Sequence, residues 1–407
     1  MTHDVPEAAP SEAASAAGAG PCASHTSSTG RLIVLDLACG LTVFGMYAAH
    51  VGLEPSVGGP LEVARGRSSA LLALLAGFTL VLLTGRPQPQ TGRAGRQAMG
   101  RALIRSAALI ALGYALTSLD TPVDVILAAY GMVFVLALPL YRLRARTLAV
   151  IAAATVLVLP QALYLLRSVV EGGSWADAAI AHDPPARIAG SDGIVELFIT
   201  GEYPVLTWLP FVIAGTAVAR LDLTRPGIHA KVALLGGALA ALGYVGSWPA
   251  LHLVPGTQAA VSAATDGGSA ASAWWSDAVG DPTTSTPDWL LVAAPQSQTT
   301  GSILGSAGVG LVVVAGCLIA TNRSARLSSP AAPVIAVGSV SLTAYFGHII
   351  AIKALGTEDL PASAALPALV GFAAAAMLLA LACTRTLRRG PLEFMLHAAT
   401  TPARLIN

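Results

Sequence analysis

The chain has 407 residues, of which 54% are hydrophobic and only 11% charged, with a mean hydropathy of +0.68 and a formal net charge of +1. A soluble domain carries about 25% charged residues, so this composition excludes an ordinary water-facing surface and points to a polytopic membrane protein. The near-zero charge gives no field for nucleic acid and no basic-aromatic patch is present, while long Ala- and Gly-rich runs exclude the short alternating strands of an outer-membrane barrel.

Residues 1–30 are rich in Ala, Ser, Gly and Pro and read as a disordered tail without the basic start and apolar centre of a signal peptide. Residues 31–397 form the expected membrane domain, and 398–407 a short tail. Ten apolar runs fall at 32–53, 68–85, 102–119, 123–140, 147–167, 203–219, 231–252, 301–320, 333–353 and 363–384, each near the ~20 residues a helix needs to cross a bilayer. The expected fold is therefore an all-α bundle of about ten spans. Of the 23 basic residues, all but Arg65, Arg67, Arg167, Arg187 and Lys353 fall on one side when the spans alternate. Positive residues stay inside, so both termini are expected in the cytoplasm. Most acids fall outside, and two long outer segments, 168–202 and 253–300, stand out. The Ser, Thr and Gly content of 262–286 reads as a linker.

Ionisable groups within spans are costly and mark candidate sites. Asp36 and His50 bracket the first span, 14 residues apart, which is ~21 Å along a helix and within ~40° of one face. Gly40, Val43 and Tyr47 complete that stripe. The ninth span, GSVSLTAYFGHII, brings His348 to a depth like that of His50, so the two imidazoles could share a cavity near the outer face. Histidine suits proton transfer near neutrality; the alternative is that each caps a helix end. Asp36 reads as a structural partner of Arg31 or a loop arginine.

Arg65 and Arg67 open the second span. They read either as snorkelling side chains or as a source of an oxyanion contact, Arg67 foremost, near His50. Glu202, Tyr203 and Trp208 at the outer start of the sixth span read as an aromatic belt or as a sugar-stacking platform beside a carboxylate. Arg101 and Arg105 share a helix face at the inner start of the third span. They serve as anchors or as a dock for a phosphate-rich donor such as coenzyme A. The four cysteines (Cys22, Cys39, Cys317, Cys383) show neither CxxC nor ligand-like spacing, so no disulfide framework or metal site is expected. Walker, Rossmann and GxSxG patterns are absent from the sequence.

Four segments in order carry a family resemblance. RLIVLDLACGLTVFGMYAAHVG resembles the opening span of the YeiB-like and heparan-alpha-glucosaminide N-acetyltransferase-like membrane proteins. SSALLALLAGFTL, GSVSLTAYFGHI and RGPLEFML are similar to three later segments of that family, so the likeness runs from about residue 31 to 397. Cys39 stands where the family has Arg, Ala344 where it has Asn, and His348 where it has Gln. The resemblance implies a transmembrane acyltransferase. Such an enzyme would take an acyl group, acetyl foremost, from cytosolic acyl-CoA and pass it to a hydroxyl or amine of an extracytoplasmic carbohydrate or glycolipid. On that reading His50 is general base or acyl carrier, His348 orients it or relays its proton, and Arg67 holds the oxyanion. Arg101 and Arg105 then receive the acyl-CoA, the sole co-substrate, and Tyr203, Trp208 and Glu202 the acceptor. Membrane lipid surrounds the bundle and a homodimer stays open. The alternatives are a transporter or flippase without covalent chemistry, and a scaffold.

Overall fold

The computed structural model of the protein describes residues 22–51, 62–86, 88–121, 123–173, 175–187, 193–265, 268–323, 328–357, 360–386 and 389–406. Among these residues the chain is all-helical. The order is α1 (Cys22–His50), α2 (Arg67–Thr84), α3 (Gly92–Thr117), α4 (Leu127–Ala137), α5 (Ala145–Glu171), α6 (Trp175–His182), α7 (Gly193–Val195), α8 (Val205–Ala219), α9 (Pro226–Leu253) and α10 (Thr257–Ala264). It continues with α11 (Thr300–Arg323), α12 (Ser328–Ser339), α13 (Ser341–Leu355), α14 (Ala362–Thr386) and α15 (Pro391–Ala399).

Helix occupies all ten apolar runs, but in three different ways. Seven helices among the described residues are long and apolar enough to cross a bilayer, and they correspond to the first, second, third, fifth, seventh, eighth and tenth runs. The sixth run is α8 preceded, across a 60° bend, by the turns of Gly193–Thr200. The ninth is two helices, α12 and α13, meeting at 82° around Val340. The fourth is a shorter apolar helix, Leu127–Arg142, whose second half tightens where Pro139 removes a donor.

Small residues set the closest crossings. A Cβ on Gly338 would lie 1.7 Å from the Asp36 carbonyl oxygen, and one on Gly215 would lie 1.9 Å from that of Leu74. Helices α1 and α12, and likewise α2 and α8, therefore touch backbone to backbone, the mode of association that works where lipid removes the hydrophobic drive. Long apolar side chains such as Val150, Leu157, Leu234, Leu242, Leu366 and Leu378 stay exposed on α5, α9 and α14. That is the pattern of faces that meet lipid, not water.

Two expectations about the segments outside the bundle need correction. Residues 268–299 do not behave as a linker. They fold into a cap with its own core of Ala270, Ala273, Val279, Trp289, Val292 and Ala294 against Leu251 and Val261. Trp289 Nε1 donates to the Ser297 carbonyl at 3.1 Å, and Ser247 Oγ to that of Leu291 at 2.6 Å. The Ser- and Thr-rich composition thus supplies turns and caps to a packed unit. The short segment 398–406 is packed, not free. The turn Thr401–Leu405 buries Ala403, and Gln97 of α3 donates to the carbonyls of Arg404 and Ile406 at 3.0 and 3.1 Å. At the other end α1 starts at Cys22, inside the stretch read as tail; residues 1–21 lie outside the described residues.

Candidate functional site

The two histidines meet. His50 Nδ1 lies 3.0 Å from His348 Nε2, and the rings are stacked at 7° with centroids 5.3 Å apart. Three features of the sequence bring this about. Tyr47, one turn before His50, donates from its hydroxyl to the Ala344 carbonyl at 3.0 Å and lays its ring 4.8 Å from that of His348. Gly40 and Gly338 bring α1 and the α12–α13 pair together below. Helix α13 then carries His348 upward from the Val340 break, buried beside Tyr345 and Ile349.

The hydrogen-bond network assigns the tautomers. His348 Nδ1 rests on the Tyr345 carbonyl, so that nitrogen carries the proton. Its Nε2 is then a lone pair and accepts the Nδ1–H of His50. The lone pair of the dyad is thus left on His50 Nε2, on the ring that is half-buried. This is the arrangement in which one group orients a base and the base faces the reactant. The carbonyl that His348 Nδ1 bonds lies three residues back, within α13 and not at a helix end.

The structure sends Arg67 elsewhere. Its Nε donates to the Tyr244 hydroxyl at 2.7 Å, its Nη1 reaches the Glu62 and Val63 carbonyls at 3.4 Å, and its Nη2 donates to the Trp275 carbonyl. The guanidinium also lies 4.9 Å over the Tyr244 ring and is buried. Arg67 therefore fastens the cap to α2 and α9, and the oxyanion role expected of it is corrected on that ground. Its neighbour Arg65 is the cation beside the pair. It pairs with Asp277 at 3.3 Å, reaches the Ala49 carbonyl at 3.5 Å, and its charge is felt at His50. The sequence named both arginines, but their principal partners, Tyr244 and Trp275 for Arg67 and Asp277 for Arg65, lie far along the chain, so only the fold tells the two apart.

Arg105 occupies the middle of α3. Its Nε is sealed and bonded to nothing, and its guanidinium has no hydrogen-bond or ion-pair partner among the described residues. Tyr130, Glu393 and Cys39 are its electrostatic neighbours. Arg101 is half-buried one turn nearer the N-terminal end of that helix. Asp36 is half-buried and meets no side-chain hydrogen-bond partner among the described residues; the side chain of Arg31, its expected partner, lies outside them. The last helix contributes Glu393. Its Oε1 accepts from the Leu342 and Thr343 amides at 2.8 and 3.0 Å, and its Oε2 from the Thr343 hydroxyl at 2.5 Å. Thr343 Oγ1 in turn accepts the Leu392 amide at 3.1 Å. Sequence reasoning missed this residue as a site; the signal was an acid in the RGPLEFML segment.

Glu202 and Tyr203 line a cleft of about 120 Å³ with Tyr114, Asp120, Asp124 and Glu196. Burial and the nearby Asp281 push the carboxyl of Asp124, in the loop before α4, above the usual carboxylate range. Trp208 packs on Tyr203, centroids 5.1 Å apart, but faces a separate, smaller cavity with Phe211, Gln296 and Ser302. The three residues expected to form one platform are thus divided between two cavities. The loop beside the cleft touches the histidine helix through Tyr345, whose hydroxyl accepts the Ile126 amide at 3.3 Å. No group of metal-ligating side chains occurs among the described residues. No protein-family model and no curated protein matches the chain.

Proposed function

We propose that this protein is a multi-pass acyltransferase of the cell membrane, with ten crossings and both termini in the cytoplasm, that passes an acyl group from cytosolic acyl-CoA to a carbohydrate or glycolipid acceptor outside. The hydrogen-bonded pair of His50 and His348, drawn from positions 298 residues apart, carries the reading. An acceptor hydroxyl or amine would give its proton to His50 Nε2 as its oxygen or nitrogen attacks the thioester carbon. The carbon–sulfur bond breaks, the coenzyme A thiolate leaves, and the proton on His50 passes to that sulfur. Arg65, the cation beside His50, faces the developing oxyanion. Arg105, a guanidinium without a partner among the described residues, suits the anionic donor. The acidic, tyrosine-lined cleft suits a polar acceptor and disfavours an anionic one.

The test is transfer from labelled acetyl-CoA in proteoliposomes. Wild type should label an added sugar or glycolipid and release free coenzyme A, and His50→Ala should not. Full activity of His50→Ala removes the mechanism.

The two bent helix pairs support a second reading. Broken helices near the membrane interior are how many transporters build substrate sites. A transporter would move its substrate with no release of coenzyme A, so the same assay separates the two.

A further inference from the structure

We infer that Glu393, on the last helix, is the positioning residue of the histidine pair, an inference that rests on the reading of His50 and His348 as the reacting groups. A helix that starts inside a bilayer leaves its first amides without water to bond. Helix α13 starts at the 82° break after α12, within a helix pair that is together long and apolar enough to cross a bilayer. Its N-cap residue, Val340, has no side chain able to serve. Glu393 supplies the missing acceptor from 50 residues downstream, with one oxygen on two amides and the other on the Thr343 hydroxyl. A carboxylate also suits the positive end of the helix.

The bonding runs both ways. The Leu392 amide, beside Glu393, is returned to Thr343 Oγ1. Helices α13 and α15 are thereby locked at four points, and α15 is seated in turn on α3 through the turn that follows it. His348 lies less than two turns above Thr343, so the rigid start of α13 fixes the height and rotation of its ring. The pair demands such control. A single bond of 3.0 Å joins His50 to His348, and a slight roll of α13 would separate them while leaving both helices intact. Glu393 touches neither imidazole; its effect passes through the first turn of α13.

Histidine nitrogen-15 spectra of the full-length protein in bilayers test this without requiring turnover. Wild type should show Nδ1-protonated signals for both His50 and His348, coupled through one hydrogen bond. E393A should lose that coupling, and E393Q, which keeps an amide oxygen for the two amides, should recover it. His229 sits on α9, outside the α1–α13–α15 assembly, and its Nε2 bonds the Leu223 carbonyl at 2.7 Å, so it reports whether the fold survives. Should E393A lose the His229 signal too, E393D decides. Its carboxylate falls one methylene short, so the pair should uncouple with His229 unchanged. A pair that stays coupled in the folded E393A, or in E393D, overturns the inference. If the proposed transfer is active, E393A should slow it on the order of 10²-fold, as misplacement of a reacting group does. Coupling lost in E393A, in a wild type that transfers nothing, would keep the positioning role and remove the acyltransfer reading.

Discussion

Arginines in two regions of this bundle live differently. Arg67 and Arg167 are buried and engaged by several bonds each. Arg67 holds Tyr244 and the Trp275, Glu62 and Val63 carbonyls, and Arg167 holds the carbonyls of Ile199, Thr200 and Gly201 at 2.6 to 3.0 Å. Lys353 likewise donates to the Asp120 carbonyl at 2.6 Å. These residues, exceptions to the alternating pattern of basic residues in the sequence, each tie a loop to a helix. Arg105, in the middle of α3, has its Nε equally sealed and is bonded to nothing among the described residues. An arginine with satisfied donors holds a fold, whereas one left open inside a membrane protein costs stability and is kept for another reason. The same contrast separates the ring nitrogens. Three of the four in the dyad are engaged, and His50 Nε2 has no partner among the described residues.

The largest effect should come from that open nitrogen. If the protein carries out the proposed acyl transfer, His50→Ala should lower it by about 10²- to 10⁴-fold, the span of general base catalysis. Its melting temperature should move little, because His348 keeps its bond to the Tyr345 carbonyl. His348→Ala should lose transfer to a similar degree and stability as well, since it empties a buried site between Tyr47 and Tyr345. A His50→Ala protein that unfolds while His348→Ala does not would reverse the assignment of the open and structural rings.

The arginines sharpen the comparison next. Arg67→Ala removes several bonds and a ring contact from a buried seam, leaving carbonyls unmet, and should cost about 3 kcal/mol by urea denaturation in detergent. Arg105→Gln removes an enclosed charge that has no partner, so stability should hold or rise. The same variant should weaken coenzyme A binding by calorimetry. Equal losses of stability in the two variants would erase the distinction.

Much of this architecture is written in the sequence, and the reasons for what is not are physical. The apolar runs are visible because bilayer thickness sets a length no loop imitates. The histidine pair is visible because helical rise converts residue counts into depth, which alone sets His50 and His348 at one level. The break at Val340 is hidden in GSVSLT, which could continue a helix; the acceptor that stabilises the break is Glu393, 50 residues on. The role of Arg67 is hidden in the same way, since only folding brings Tyr244 and Trp275 to it. The cap was concealed by its composition. Ser and Thr in 262–286 suggest solvent, yet Ser276 bonds Glu62 and Thr286 Oγ1 accepts the Asp288 amide, so these hydroxyls close turns around Trp289.

The smallest expected effect separates the cap from the arginine beneath it. Ser247, on α9, is buried and donates to the Leu291 carbonyl at 2.6 Å. Ser247→Ala removes one neutral bond and should cost about 1 kcal/mol, too little to shift a global melt clearly. Hydrogen exchange reads it locally. The Ala293 amide, two residues beyond Leu291, bonds the Ala273 carbonyl at 3.0 Å and opens when the cap opens. It should exchange about fivefold faster in Ser247→Ala, the factor that 1 kcal/mol sets. The Ala344 amide in the first turn of α13, bonded to the Val340 carbonyl at 2.9 Å, should keep its rate, because among the described residues no hydrogen bond joins the cap to that helix. Faster exchange at both amides would make the cap and the bundle one cooperative unit. An unchanged Ala293 would instead leave the attachment of the cap to Arg67, the Arg65–Asp277 ion pair, the Ser276–Glu62 bond and the core around Trp289, with the Ser247 bond adding nothing to them.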